Sequence, residues 1–129
     1  MRETPKPALR TAIAVLRAAL DPAVGVATVK PRIWPRLFVK VTISGGGGWV
    51  YPNTDITRLL VECWADSDAA CEVLTNQCRT ALYNTEGHIF DGVFLRGFDN
   101  DTGPVQLPDP DVPDHRRWQF QGDLMVSTS

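Results

Sequence analysis

Two periods of apolar repetition organise this chain, and they meet at one point. From Asp55 the side chains alternate: Thr57, Leu59, Val61, Cys63 and Ala65 share one face of a predicted strand, and Ile56, Arg58, Leu60, Glu62 and Trp64 share the other. At Asp66-Ser67-Asp68 the period lengthens from two to about 3.6. Asp66 or Ser67 can cap the helix that follows, and Asp68 and Glu72 put negative charge at its positive end. Cys71, Leu74, Cys78, Ala81 and Leu82 then form one apolar stripe, ending near Tyr83. A strand with one apolar face running into a helix with one apolar stripe is a two-layer packing unit, and Asp55 to Tyr83 is the expected core.

The flanks repeat these signals. Leu9, Ile13, Leu16 and Leu20 make the stripe of a first helix, roughly Pro7 to Leu20, with proline in its first turn and Asp21-Pro22 ending it. Val24 to Val29 can form a short strand before the proline-bearing connector at Lys30-Pro31-Arg32 and Trp34-Pro35. Arg36 to Ser44 alternates Leu37, Val39, Val41 and Ile43 against Phe38, Lys40 and Thr42. Gly45, Gly46, Gly47 and Gly48, followed by Trp49, read as the flexible turn of a hairpin leading to the strand at Asp55. They are no phosphate-binding loop, because no Gly-Lys-Ser/Thr follows. Gly92 to Phe98 and Arg116 to Ser127 are further strands. Between them, Asp99 to His115 is a long loop with four prolines and five aspartates.

These elements predict one α+β domain over residues 1–129. Two helices pack on one face of a mixed, largely antiparallel sheet of four or five strands, in the order α-β-β-β-α-β-β. The second sheet face is unusual. It carries Phe38, Lys40, Thr42, Arg58, Leu60, Glu62, Trp64, Phe94, Arg96, Gln119 and Gln121, too polar for a core and richer in large side chains than a wet face needs. Two readings remain: a solvated sheet with Lys40–Glu62 cross-strand pairs, or a protein–protein surface.

The formal net charge is −2, but it is unevenly placed. Residues 1–48 hold eight Lys/Arg and two acids, and residues 49–129 hold five Lys/Arg and thirteen acids. That division is either chance clustering or a dipolar subunit whose basic region meets the acidic region of another copy, a head-to-tail contact that builds rings. Three cysteines without a C-x-x-C suggest buried small hydrophobes in a reducing compartment. The polar start of the chain and the absence of any apolar run near 20 residues give an expectation of a soluble, intracellular protein with no membrane partner. His88 and His115 lie near loops with no ligand at metal spacing and read as solvated turn residues. The run Asp99-Asn100-Asp101-Thr102-Gly103 begins like a calcium loop, but its twelfth position is Pro110. No nucleophile elbow is present, and no catalytic residue, metal or cofactor is expected. An enzyme or binder using the second face would have only Glu62, flanked by Lys40 and Arg58, as a candidate base.

The basic first helix, the stretch PRLFVKVTISGGG at 35–47, the run from Leu59 to Leu82 and the closing RRWQFQGDLMV together resemble the tail-terminator (tail-completion) proteins of long-tailed phages, especially those of actinobacteria. The resemblance implies a virion protein at the tail–neck junction, assembled in the host cytoplasm. Such subunits form a hexameric ring on the last ring of the tail-tube protein, stop its polymerisation and meet the head-neck connector. DNA would pass through the lumen without specific binding. Head-closure adaptors of the same plan are the neighbouring alternative. On this reading Phe38, Lys40, Arg58, Leu60, Glu62, Trp64 and Arg96 are candidate subunit contacts. The loops with Gly45–Gly48 and Trp49, and with Asp99, Asp101, Asp109 and Asp111, would face neighbouring rings.

Overall fold

The protein is seen in a computed structural model that describes residues 3–50 and 52–128. Helix α1 (Ala8–Ala19) starts after Pro7, which supplies no side-chain cap; Thr11 Oγ1 donates instead to the Pro7 carbonyl at 3.0 Å. Its buried side holds Ala8, Thr11, Ala12, Ile13, Val15 and Leu16. Helix α2 (Asp68–Tyr83) is capped by Ser67, whose Oγ accepts from the Ala70 N–H at 3.2 Å. Trp118 Nε1 donates to Asp68 Oδ1 at 3.1 Å, tying the first turn of α2 to the sheet.

The sheet is larger than the periodicity predicts. Among the described residues seven strands take part: β1 (Gly25–Ala27), β2 (Phe38–Val50), β3 (Thr54–Ala65), β4 (Ile89–Phe90), β5 (Val93–Asp99), β6 (Val105–Gln106) and β7 (Arg116–Ser127). The order is β1-β2-β3-β7-β5-β4, with β6 beside the first half of β7. Only β1 and β2 run parallel. The expectation of four or five strands is corrected to seven because β4 and β6 are two-residue strands, too short for an alternation to be visible.

A second correction concerns the glycines. β2 runs through them to Val50 and pairs antiparallel with β3 from Thr54, so Gly45–Gly48 are strand and bulge rather than turn. Register shifts lie between Ile43 and Gly45 and between Gly45 and Gly48. Gly46 has φ of 134°, and a Cβ there would run into the Ile56 carbonyl and the Arg58 N–H across the ladder. Crowding at a bulge, not looseness of a turn, requires the glycine.

The core lies between the helices and one sheet face. Val39, Val41, Leu59, Val61, Cys63, Leu95, Phe120, Leu124 and Val126 meet Leu16, Cys71, Leu74, Cys78 and Leu82. Each large aliphatic side chain buried this way contributes about 1.5–3 kcal/mol. All three cysteines are buried and free. Burial pushes the Cys71 thiol up to about 12 and raises Cys63 further from the reactive range. Gly122, on β7, is also fixed by crowding: the Phe98 ring lies where its Cβ would be, edge-on to Tyr83 at 5.1 Å and to Phe120 at 6.3 Å.

Helix α1 also guards the sheet margins. Arg17 donates to the Val26 carbonyl on β1 at 2.7 and 3.2 Å, and Arg10 pairs with Asp91, beside β4, at 3.3 Å. These contacts sit at the two ends of the sheet, on β1 and beside β4.

Candidate functional site

The face of the sheet turned away from the helices is built in rows by register. Phe38, Trp64 and Arg117 form the first row, Lys40, Glu62 and Gln119 the second, and Thr42, Leu60 and Gln121 the third. Arg58 then faces Asp123, and Ile56 faces Met125. This face has two ends with opposite fates.

At the first end the chain covers itself. Trp64 is fully buried, Phe38 is 3% exposed, and Val112 from the loop after β6 closes over them with Trp34 beside. Trp34 lies edge-on to Phe38 at 5.4 Å and to Trp64 at 5.3 Å. His115 Nε2 donates to the Pro35 carbonyl at 2.9 Å and its ring is 5.3 Å from Trp34. The expectation of His115 as a solvated turn residue is therefore corrected: it locks the loop to the connector. Two candidate contact residues, Phe38 and Trp64, are taken up in this second small core, because the loop expected to face neighbouring rings folds back over them.

A chain of charges frames the same end. Lys40 Nζ stands 3.7 Å from Glu62 Oε1, and Arg117 Nη1 stands 3.1 Å from Glu62 Oε2. Arg117 also reaches Asp109 at 3.8 Å, and Lys30 reaches Asp109 at 2.7 Å. The Arg117 guanidinium lies 5.9 Å from the Trp64 ring centroid. Asp109 is buried, and the Lys30 ammonium holds its carboxyl below the usual carboxylate range; the Asp111 N–H and Arg117 add to this against the opposing effect of burial. Both oxygens of Glu62 are engaged in ion pairs, and Arg58 turns to Asp123 at 3.1 Å instead. The triad imagined around Glu62 as a base is thus a cross-strand ion-pair network.

The acidic loop is ordered by the same logic. Asp101 pairs with Arg79 on α2 at 2.6 Å, with only 4% of its side chain exposed. Leu107 N–H donates to the Arg117 carbonyl at 3.0 Å, and Arg117 Nε donates back to the Leu107 carbonyl at 2.7 Å. Asp101 and Asp109 are consequently internal anchors, while Asp99 and Asp111 remain exposed with the loop's Val105 and Leu107. Gly45, Gly46, Gly47, Gly48 and Trp49 lie exposed on the far half of the hairpin.

The other end of the face is uncovered. Ile56 and Met125 are half-buried, and Phe94 is 38% exposed. Arg96 lies with its guanidinium 5.8 Å over the Phe94 ring and donates to Asn53 Oδ1 at 3.0 Å. Among the described residues Arg96 has no carboxylate partner. The expected contact residues therefore divide: Phe38 and Trp64 at the covered end, Lys40, Glu62, Leu60 and Arg58 in the middle rows, Arg96 at the open end. Trp34, Val112 and the Lys30–Asp109 pair escaped sequence reasoning. A lone valine in an acidic, proline-rich stretch was the available signal for Val112.

Folding also redistributes the charge division. Arg10, Lys30, Arg36 and Lys40, four of the eight basic residues in 1–48, pair with Asp91, Asp109, Asp66 and Glu62 of the second part. The two parts interleave in one sheet, so much of the apparent dipole is closed inside the chain.

Elsewhere, an open groove of about 980 Å³ runs between the end of α1 and α2, lined among others by Leu20, Leu37, Val73 and Thr80. Among the described residues no three His, Cys, Asp or Glu side chains stand together as a metal site, and no helix is long and apolar enough to cross a membrane.

Comparison with known proteins adds a likeness of fold. No family model matches the sequence, and no curated protein matches it. A chain in the solved structure "Virion of native gene transfer agent (GTA) particle" has the same fold: TM-score 0.62, 16% sequence identity, over 88% of this chain and 85% of that one.

Proposed function

We propose that this chain is a structural virion protein of the tail-terminator type. It forms a hexameric ring on the last ring of a phage-like tail tube, ends polymerisation there and joins the tail to the neck of the head. The observation that carries this reading is the shared fold with a chain of a gene transfer agent virion over nearly the full length of both chains. The strand–helix run from Leu59 to Leu82, which carries the family resemblance, forms the centre of that fold. A second sheet face with an uncovered apolar end supports the same reading, because a ring subunit must bury surface against its neighbours. The lumen of the ring would pass DNA without a sequence-specific contact.

The test is polymerisation of the cognate tube protein with and without this chain, viewed by electron microscopy. The expected result is tubes that stop growing and carry one extra ring at a single end. Tubes that elongate unchanged, with the chain bound to the head connector instead, would overturn the terminator role and leave a neck adaptor.

A further inference from the structure

The open end of the second sheet face and the acidic loop carry complementary, unmatched groups. On the face, Ile56 and Met125 are neighbours by register, and the exposed Phe94 shares their face by alternation from Leu95, which pairs with core-facing Val126; the Arg96 cation lies above the Phe94 ring. On the loop, Val105 and Leu107 are 52% and 43% exposed, and Asp111 and Asp114 are exposed with no cation partner among the described residues. Most other Asp and Glu of this region are matched inside the chain: Asp101 by Arg79, Asp109 by Lys30, Asp123 by Arg58 and Glu62 by Arg117.

The loop is also pre-shaped for contact. Its ladder bonds to β7, the buried Asp109 and the inserted Val112 hold the backbone from both sides. A rigid loop loses little conformational entropy when it docks, so modest apolar area and one charge match can suffice. The loop cannot reach its own patch, because Val112 and Asp109 hold it over the first rows of the face, while Phe94 and Met125 sit beyond Arg58 and Asp123 at the other end. A second copy can supply what the chain cannot.

We propose that the patch of Ile56, Phe94, Met125 and Arg96 is a docking surface for the 105–114 loop of another copy of this chain, with Arg96 meeting Asp111 and Asp114. The patch and the loop are different surfaces, so the contact is heterologous: each copy offers one of each, and successive copies close a ring when the rotation allows. This rests on the ring reading above for the number of copies, and not for the contact itself.

The experiment measures solution mass by light scattering from micromolar to near-millimolar concentration. The variants are Arg96→Glu, the pair Asp111→Lys with Asp114→Lys, and the triple variant combining all three. All these side chains are exposed, so circular dichroism should show unchanged folding. The wild type is expected to gain mass with concentration. Either charge reversal should weaken association by roughly tenfold or more, through like charges brought together, and the triple variant should recover most of that loss. A wild type that stays at one copy throughout, Arg96→Glu with unchanged mass, or a triple variant no better than its parents would each overturn the contact. Tube capping would still stand or fall by its own assay, which separates failure of this contact from failure of the terminator reading.

Discussion

One sheet face, running along β3 and β7, ends in a sealed aromatic pocket on one side, where β2 joins it, and a bare apolar patch on the other, where β5 does. At the covered end Trp64 and Phe38 lie under Val112, Trp34 and His115, and Glu62 and Asp109 link Lys40, Arg117 and Lys30 around them. At the open end Phe94 and Arg96 are exposed, and Ile56 and Met125 are half-buried. The difference is set by where the chain returns. The loop after β6 is long enough to fold back over the first rows, and its anchors leave none of it for the last. A large aromatic on this face is therefore a core residue at one end and a surface residue at the other, with the same alternation in sequence.

Mutation can break that contrast. The largest effect is expected at Trp64: replacement by alanine empties a fully buried site and should cost about 3–5 kcal/mol, read as a lower urea midpoint with unchanged slope. A loss below about 1 kcal/mol would mean that the pocket is not closed in solution. Next comes the anchor of the lid. Asp109→Asn removes the charge facing Lys30 and Arg117 and should cost about 2 kcal/mol. The same anchor gives a pH dependence. The folded Asp109 has its pKa below the unfolded value of about 3.9, so its contribution is present above that value and is lost as pH falls through the folded pKa. Asp109→Asn should accordingly flatten part of the stability decline seen below about pH 4; an identical acid profile in wild type and variant would contradict the anchor. The smallest effect on the monomer is expected at the open end, where Phe94→Ser should stay within about 1 kcal/mol in urea unfolding while reducing association at high concentration. A large loss of monomer stability there would place Phe94 in a core and erase the contrast.

Much of the architecture was legible because it rests on local repetition. The alternation at 57–65 and the 3.6 period after Ser67 give β3, the Ser67 cap and α2, and Arg116 to Ser127 is a strand over its full expected length. The helix-facing core, including all three cysteines, follows from the same parity. The glycine run misled because glycine allows both a turn and a crowded bulge, and only the partner strand decides between them: Ile56 and Arg58 backbone atoms leave no room for a Cβ at Gly46. The second face was legible as mixed, but not as divided. Trp64 and Phe94 share one alternation pattern, and what separates them is Val112, far along the chain from both. Long-range closure of that kind leaves no periodic trace. The charge division misled for a related reason, since Lys30 and Arg36 find Asp109 and Asp66 only after the strands between them are paired.

The claim that the acidic loop belongs to this chain's own fold is tested most directly by amide hydrogen exchange on the dilute, single-copy protein. The N–H groups of Leu107, Val112 and His115 donate to the carbonyls of Arg117, Asp109 and Val112, so segment 107–115 should exchange many times more slowly than an unstructured loop. Asp109→Asn should speed it. Exchange at the rate of a free peptide across 107–115, with β3 and β7 still protected, would show a loop that does not cover Trp64 and would contradict the division of the face.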